Sequence, residues 1–224
     1  MKTIIFGNGS MAKVLFSYAR HSHDIAGFTV DSSCIQGDST TFLGKPLVPF
    51  ETVQTVFKPS EHNLLIAVGF LEMNMLREKK YIEAKQKGYT FTSYVHNSLI
   101  MHDDVTIGEN CIILEYVSIH PGSQIGKNTF ISSNVGIGHD CSVGPANWIN
   151  SGVSIAGGCA IGPGCFFGVN ASVGHDVQVG AYNFVAANTL LVKKTEDHAV
   201  YLSESGTQFP LKSRAFLKFI RERS

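Results

Sequence analysis

The sequence of 224 residues contains few charged side chains. Lys and Arg number 18, Asp and Glu also number 18, and together they make up 16% of the chain with zero net charge, against roughly 25% in an average globular protein. Balanced charge argues against a broad surface for nucleic acid or another polyanion. No apolar run reaches the ~20 residues that span a membrane, and Met1 leads into a strand-like segment rather than a signal peptide. We therefore expect a cytoplasmic protein that binds neither nucleic acid nor membranes.

The sequence also lacks the cysteine patterns that build disulfide frameworks or zinc sites. It has five cysteines, an odd number, and no two of them form a CxxC pair: Cys34, Cys111, Cys141, Cys159 and Cys165. In a reducing compartment such a set predicts free thiols, and the spacings do not suit one shared metal ion. We expect no metal site.

The strongest positive feature is a period of six residues in the second half of the chain. Every sixth residue is large and apolar, fifteen times in succession: Ile107, Ile113, Ile119, Ile125, Ile131, Ile137, Val143, Ile149, Ile155, Ile161, Phe167, Val173, Val179, Val185 and Leu191. The residue two places earlier is mostly small, and the residue just after is often glycine, as at Gly108, Gly126 and Gly138. This period fits neither a helix nor a simple strand alternation.

A parallel β-helix accounts for the period, because each six-residue rung supplies one short strand and one tight corner. Three rungs make a coil of eighteen residues, and coils stack about 4.8 Å apart, so that equivalent residues form columns. Four cysteines fall at the small inward position of a rung: Cys111, Cys141, Cys159 and Cys165. We expect them to pack in the core rather than to act in redox chemistry.

The first 93 residues have a different pattern. Lys2–Phe6 is a short apolar strand, a GxGxxA turn follows at Gly7–Ala12, and an amphipathic helix then runs to about Arg20. A second strand, Ala26–Val30, ends at Asp31. Alternating strands and helices predict a small parallel α/β sheet of the Rossmann type. Later elements of the same kind are strands at Leu64–Val68 and Thr90–Tyr94 around a helix at about 72–87.

The turn after the first strand is a candidate nucleotide site. Gly7, Asn8, Gly9 and Ser10 would bring backbone N–H groups close to a phosphate at a helix N-terminus, and Asp31 would bind a ribose. The alternative is a tight strand-to-helix turn without a ligand. About 93 residues hold only half of a full dinucleotide-binding sheet, so a single nucleotide is the expected ligand.

The two halves together resemble bacterial nucleotide-sugar acyltransferases of the sialic acid O-acetyltransferase/PglD type. The resemblance rests on the six-residue repeat, the GxGxxA turn and the segment Gly138-His139-Asp140-Cys141. It implies an N-terminal Rossmann-like domain (1–94) for a UDP- or dTDP-amino sugar and a left-handed parallel β-helix (95–192) for acyl-CoA, and it leaves residues 193–224 as a C-terminal tail outside the resemblance. It also implies a homotrimer with each active site between two subunits.

The same resemblance implies roles for individual residues. His139 matches the catalytic histidine, which would act as general base, and Asp140 matches the acid that orients it. Gly157 aligns with the acyl-binding glycine, and backbone N–H groups near it would stabilise the thioester oxyanion. Trp148 stands where relatives have a second histidine near the thioester. The tail also departs from the family, with a short basic helix expected at 213–223.

The repeat adds one expectation about the column that contains His139. His175 lies two coils later in this column, about 9.6 Å away by coil spacing, and Gly157-Gly158 lie between them. The gap predicts a slot for the pantetheine arm or the acyl group. His175 would be a secondary polar contact or a plain corner residue, and Asn134 would contact the amino sugar.

The sequence thus predicts transfer of an acyl group, most simply acetyl, from acyl-CoA to the amine of a nucleotide-linked amino-deoxy sugar, for surface glycan synthesis. Three alternatives stay open at this point. One is O-acetylation, or transfer of a longer acyl group such as 3-hydroxybutyryl. Another is a zinc enzyme of the carbonic anhydrase type, although no matching histidine triplet is present. The last is a trimeric binding protein without catalysis.

Overall fold

Six strands form one sheet in the N-terminal part of the chain, whose computed structural model describes residues 1–37 and 39–221. They are β1 (Lys2–Phe6), β2 (Ile25–Val30), β3 (Thr41–Phe42), β4 (Lys45–Pro49), β5 (His62–Ile66) and β6 (Thr90–Phe91). The order is β3-β4-β2-β1-β5-β6, and only the β3–β4 hairpin is antiparallel. The predicted Rossmann-like parallel sheet is confirmed, with this hairpin as an additional edge.

Three helices belong to the N-terminal domain: α1 (Ser10–Ala19), α2 (Val53–Val56) and α3 (Met75–Gln86). Short 3₁₀ turns lie at Ser32–Cys34 and Phe50–Thr52. Helix α1 buries Ala12, Leu15 and Ala19 against the sheet, a spacing that places all three on one helix face.

Helix α3 begins later than the sequence predicts. The expected start was about residue 72, but Glu72, Met73 and Asn74 have positive φ angles of 51°, 53° and 66°. A right-handed helix cannot include residues in this left-handed conformation, so the helix starts at Met75.

The rest of the fold is a parallel β-helix made of two-residue strands. In chain order they are β7 (Tyr94–Val95), β8 (Ile100–Met101), β9 (Thr106–Ile107), β10 (Ile112–Ile113), β11 (Ser118–Ile119), β12 (Gln124–Ile125), β13 (Phe130–Ile131), β14 (Gly136–Ile137), β15 (Ser142–Val143), β16 (Trp148–Ile149), β17 (Ser154–Ile155), β18 (Ala160–Ile161), β19 (Phe166–Phe167), β20 (Ser172–Val173), β21 (Gln178–Val179), β22 (Phe184–Val185), β23 (Leu190–Leu191) and β24 (Val200–Tyr201).

The strands stack into three flat faces. Face 1 contains β7, β10, β13, β16, β19, β22 and β24; face 2 contains β8, β11, β14, β17, β20 and β23; face 3 contains β9, β12, β15, β18 and β21. From β7 to β23 paired residues lie eighteen positions apart, as in the pairing of Ile113 with Ile131 and of Ile131 with Ile149, whereas β22 and β24 pair at a separation of sixteen. The predicted eighteen-residue coil is therefore correct.

The limits of the β-helix differ slightly from the expected residues 95–192. The sequence predicts one strand at Thr90–Tyr94, but Thr90–Phe91 pairs within the N-terminal sheet whereas Tyr94–Val95 opens face 1. The Tyr94 N–H donates to the Cys111 carbonyl at 2.9 Å, which makes Tyr94 part of the first coil. At the other end, Val200–Tyr201 extends face 1 beyond residue 192.

The inward side chains of the three faces form one continuous core. Ile113, Ile131, Ile149 and Phe167 are fully buried in it, and burying a side chain of this size stabilises a fold by about 1.5–3 kcal/mol. The four cysteines expected in the core are buried there as free thiols: Cys111, Cys141, Cys159 and Cys165. Burial raises the pKa of each thiol above its usual range.

Face 1 of the β-helix packs against the N-terminal sheet. Its outward side chains form a ladder that joins the core of the N-terminal domain: Tyr94, Ile112, Phe130, Trp148, Phe166 and Phe184. The Phe130 and Trp148 rings stack with centroids 4.0 Å apart, and the Phe166 and Phe184 rings stack at 4.6 Å. Since such pairs add about 0.5–1.5 kcal/mol to the effect of burial, the ladder holds the two domains together.

Arg77 on α3 is the main polar link between the domains. Its guanidinium is fully buried and donates to the carbonyls of Asn128, Asn110 and Val68, and to the Asn128 side chain. These acceptors carry no charge, and burial lowers the pKa of Arg77 to about 10. Asn110 and Asn128 are left-handed corner residues of the β-helix, so Arg77 fixes α3 to two successive coils.

The C-terminal tail leaves the β-helix after Tyr201. The Ser203 hydroxyl donates to the Ala187 carbonyl at 2.7 Å, and residues 204–212 are exposed and without regular structure. Helix α4 (Ser213–Arg221) follows and confirms the expected basic helix as far as residue 221; its predicted end at residue 223 lies outside the described residues. Within the described ranges, no helix has the length and apolar character to cross a bilayer.

Candidate active site

His139 and Asp140 form a hydrogen-bonded pair at the corner between faces 2 and 3. The corner follows strand β14, and Asp140 takes a left-handed conformation with φ 55°. The His139 Nδ1 lies 2.9 Å from Asp140 Oδ2, and the two side chains are 56% and 72% exposed. When Nδ1 donates to the carboxylate, Nε2 keeps its lone pair and can accept a proton.

The His139 ring lies against the backbone of Gly157 in the next coil. A Cβ atom at Gly157 would stand only 2.7 Å from Cδ2 and 2.8 Å from Cε1 of the imidazole. Glycine is therefore required for this ring position. The Gly157 N–H has no hydrogen-bond acceptor among residues 1–37 and 39–221.

In the next column, which contains Asp140, larger side chains also pack on glycines of the adjacent coil. Gly122, Asp140, Gly158 and Asp176 occupy equivalent left-handed positions one coil apart. A Cβ atom at Gly122 would collide with the Asp140 carboxylate, and one at Gly158 would collide with the Asp176 carboxylate. Each carboxylate thus packs on the glycine of the preceding coil. The alternation of glycine and aspartate every eighteen residues is visible in the sequence, and it could have predicted these contacts.

The slot expected between His139 and His175 does not exist in this structure. The centroids of the two rings lie 5.9 Å apart, closer than the coil spacing predicts, because the His139 ring leans along the helix axis over Gly157. His175 Nε2 lies 3.3 Å from Asp176 Oδ2, so His175 uses the opposite ring nitrogen from His139. An acyl group would have to lie beside the rings rather than between their coils.

A buried polar contact supports the corner of His139 and Asp140 from inside. Ser123 Oγ accepts from the Cys141 N–H at 3.0 Å and donates to the Gly138 carbonyl at 2.7 Å. The two bonds flank His139 and Asp140 in the chain. They anchor the backbone on both sides of the pair, which restricts the positions that the imidazole can take.

The candidate nucleotide residues line one apolar cleft of about 350 Å³ at the carboxyl ends of β1 and β2. Gly7, Asn8, Gly9, Ser10 and Asp31 all contribute to it. Gly7 has φ 133°, and a Cβ there would lie 2.9 Å from the Ala67 carbonyl oxygen. No side chain caps the start of α1 at Gly9, so its first N–H groups point to the cleft and suit an anion.

Asp31 is tied to a buried lysine that sequence analysis did not single out. Lys80 Nζ lies 2.7 Å from Asp31 Oδ1 and 2.7 Å from Glu83 Oε2. Burial works against the charge on Lys80, but the hydrogen bonds to the two carboxylates outweigh it and raise the pKa of Lys80. Lys80 lines the same cleft, which therefore presents both a carboxylate and an ammonium group to a ligand.

Trp148 and Asn134 lie away from His139 within one chain. Trp148 is 7% exposed on face 1, where its Nε1 donates to Asn150 Oδ1 at 3.2 Å and its ring packs on Phe70. Its role here is in the domain interface, and this position does not support the expected contact with acyl-CoA. Asn134 is exposed at the corner between faces 1 and 2, and its contact with the sugar stays a prediction.

A groove lies on face 3, the face whose strand β15 follows His139 and Asp140 in the chain. It has a volume of about 630 Å³, and its floor is made by the outward residues Ser142, Ala160 and Gln178. Lys194 lines one side and Glu196 and Asp197 lie nearby. The sequence pattern does not reveal this groove, because Lys194 follows the last regular rung.

The corner of His139 and the candidate nucleotide cleft lie on different sides of one chain. The N-terminal domain covers face 1, whereas His139 stands at the corner of faces 2 and 3, which is opposite face 1 in a triangular coil. The structure therefore does not bring Asp31 and His139 into a single pocket of one chain. Within the described part of the chain, no three His, Cys, Asp or Glu side chains converge as metal ligands.

Comparison with known proteins identifies relatives of this fold. Residues 104–139 match the family described as bacterial transferase hexapeptide (six repeats). A variant of perosamine N-acetyltransferase from Caulobacter crescentus, in complex with CoA and GDP-perosamine, is 26% identical with a TM-score of 0.80, covering 89% of this chain and 92% of that chain. Among curated proteins no sequence matches.

Two further solved structures share the fold at lower identity. The acetyltransferase domain of PglB from Neisseria gonorrhoeae is 19% identical with a TM-score of 0.78, covering 89% of this chain and 95% of that chain. WeeI from Acinetobacter baumannii is 18% identical with a TM-score of 0.61 over 89% of this chain and 95% of that one. Together these matches confirm the resemblance to hexapeptide acyltransferases and the left-handed β-helix that the sequence predicts.

Proposed function

We propose that this protein transfers the acetyl group of acetyl-CoA to the amine of an amino-deoxy sugar linked to a nucleoside diphosphate. The observation that carries the proposal is the similarity, over 89% of the chain, to a perosamine N-acetyltransferase crystallised with CoA and GDP-perosamine. That relative binds a guanine nucleotide, whereas the sequence resemblance implies UDP or dTDP. An assay therefore has to determine which nucleotide base the protein accepts. The product would serve surface glycan synthesis.

His139 acts as the general base in this proposal. The amine nitrogen of the sugar attacks the thioester carbonyl carbon, and its proton passes to Nε2 of His139. The C–S bond then breaks, and the proton from His139 goes to the leaving thiolate of CoA. Asp140, 2.9 Å from Nδ1, holds the tautomer that leaves Nε2 free and stabilises the imidazolium as it forms.

The Gly157 N–H is the proposed donor to the thioester oxygen. Gly157 lies against the His139 ring, and its N–H has no hydrogen-bond acceptor among the described residues. A backbone donor that is already oriented stabilises an oxyanion without reorganisation, and loss of one such donor costs about 10²–10³ in rate in other enzymes. Gly158 contributes by leaving space for the Asp176 carboxylate.

Each complete active site is proposed to form between two subunits of a homotrimer. The basis is the separation of the nucleotide cleft from His139 within one chain, since a substrate must reach both. Acyl-CoA would lie in the face 3 groove, with Lys194 near its phosphates. The nucleotide would enter the Asp31 cleft of one subunit with its sugar directed to His139 of the next. Asn134 and His175 would be polar contacts at the edge of this site.

The test is a thiol-release assay that crosses several acyl-CoAs with UDP-, dTDP- and GDP-linked amino sugars. We expect turnover with acetyl-CoA and one class of nucleotide, and a product whose mass and hydrolysis resistance identify an amide. An ester product would overturn N-transfer, and nucleotide binding without turnover for any pair would favour a binding protein. Light scattering should give the mass of a trimer; a monomer would remove the intersubunit site.

A further inference from the structure

Helix α4 separates apolar and basic side chains onto opposite sides. Phe216 and Ile220 lie on one side, with 38% and 41% of their surface exposed, and Leu217, 51% exposed, lies at its border with the basic side. Arg214, Lys218 and Arg221 share the other side, because residues three or four apart lie on the same face of a helix. No α4 residue is buried. This is the pattern of a helix that lies in the plane of a lipid–water interface.

The charge of the tail is opposite to that of the rest of the chain. Residues 1–204 contain 13 basic and 17 acidic side chains, a net charge of −4, whereas residues 205–224 contain five basic and one acidic, a net charge of +4. The zero net charge of the whole sequence conceals this separation. An anionic surface would attract the tail and repel the body of the protein.

The segment before α4 provides the reach that such docking needs. Residues 204–212 are exposed and irregular, and nine residues can span at most about 30 Å. Phe209 and Leu211 in this segment are also exposed, at 53% and 42%, and the Phe209 ring packs on Phe216. They extend the apolar side of α4 toward the body.

We propose that α4 docks on the surface of a lipid bilayer that contains anionic headgroups, with its apolar side inserted at the interface and its basic side facing the phosphates. The body of the protein, with its net charge of −4, is the acidic protein surface that the tethered tail meets at the highest effective concentration. Even so, Phe216 and Leu217 stay exposed rather than buried on it. This favours a bilayer over an acidic protein surface, and it revises the sequence-based expectation of no membrane partner.

Several copies of the helix strengthen the docking. One short helix with few charges binds a membrane weakly, and stable attachment needs more than one signal. In the proposed homotrimer the three tails leave the same end of parallel β-helices, so that they can engage one surface together. The inference itself does not depend on the acetyltransferase activity.

Sedimentation of the full-length protein with lipid vesicles tests the proposal. Vesicles of phosphatidylcholine mixed with phosphatidylglycerol should retain the protein, and vesicles of phosphatidylcholine alone should not. The triple variant R214Q/K218Q/R221Q should bind the anionic vesicles on the order of 100-fold more weakly. The double variant F216S/L217S should also lose binding. The control K2Q/R20Q/K58Q removes three exposed charges elsewhere and should bind as the wild type.

Three outcomes would overturn the proposal. One is that the wild type ignores the anionic vesicles. Another is that the control loses as much binding as the α4 charge variant. A third is that F216S/L217S lowers the molecular mass in light scattering, since the helix would then be occupied by a second copy of the chain. Acetyl transfer measured without vesicles should be equal in all variants, which separates this test from failure of the proposed function.

Discussion

The imidazole rings of His139 and His175 lie with their centroids 5.9 Å apart and their planes inclined at 53°. They are held differently, because His139 contacts its aspartate through Nδ1 and His175 contacts its own through Nε2. The His139 ring also rests on Gly157, where a side chain would collide with it. Two similar His-Asp pairs in one column are therefore not equivalent.

This difference predicts unequal effects of removing the two rings. We expect His139→Ala to lower kcat by 10²-fold or more, as loss of a general base does, and His175→Ala to stay close to the wild type. Thiol release at saturating substrates measures both variants. Circular dichroism and light scattering would show that they fold and assemble alike. Equal losses for both variants would mean that the two histidines act together.

Gly157→Ala tests the position of the imidazole without removing it. The added methyl would stand within van der Waals radii of the ring, at 2.7 Å from Cδ2, and would displace His139. We expect kcat to fall by about 10–10²-fold, since small misplacements of catalytic groups cost this much, with little change in KM for the nucleotide sugar. Gly136→Ala is the matched control, because no atom lies within 4 Å of its added Cβ. Wild-type activity of Gly157→Ala would refute the ring position.

Asp31→Asn should weaken nucleotide binding. The substitution removes from the cleft the carboxylate that accepts from Lys80 at 2.7 Å, and Glu83 remains as the acidic partner of that ammonium. We expect the Kd for the nucleotide to rise about tenfold, a cost of ~1.4 kcal/mol, in titration calorimetry with UDP and GDP. Asp24→Asn, at the other end of β2, is exposed and should not change the Kd. If both variants bind alike, the cleft is not the nucleotide site.

Arg77→Met should lower the free energy of unfolding and have a smaller effect on catalysis. The variant leaves the carbonyls of Asn128, Asn110 and Val68 without this donor and removes one of the two donors to Asn128 Oδ1, and we expect a loss of about 3 kcal/mol in the free energy of unfolding. Urea unfolding followed by fluorescence measures it. Lys79→Met is a control on the same helix, since the Lys79 side chain is 68% exposed, and it should lose less than about 0.5 kcal/mol.

The buried thiols predict a loss of stability at alkaline pH. Burial raises the pKa of Cys165 from 9.0 to about 11, so this thiol stays protonated in the folded protein while it ionises in the unfolded chain. Its contribution is fully present below pH 9 and is lost as the pH rises through about 11, with a slope of up to ~1.4 kcal/mol per pH unit. Urea unfolding across this window should show a shallower loss for Cys165→Ala than for the wild type. Cys34→Ala, at an exposed thiol, should match the wild type.

Much of the architecture follows from the repeat alone. A large side chain at every sixth position can be buried only if each rung turns by a third of a coil, and this requirement defines the three faces, the inward residues and the columns. Ile113, Ile131 and Ile149 stack as the period requires. The local GxGxxA pattern likewise predicts the turn into α1, because backbone geometry at Gly7 and Gly9 depends on neighbours in the chain.

Only the tertiary structure decides how these parts meet. The period places His139 and Gly157 in one column, but the rotamer of the ring decides whether the space between coils is open or filled. Trp148 points outward by sequence, yet only the docking of the N-terminal domain on face 1 buries it. Arg77 is a charged helix residue in sequence, and it becomes the interdomain link because folding brings the Asn110 and Asn128 corners to it. Periodicity specifies direction and column, whereas contacts between distant segments depend on packing that no local pattern encodes.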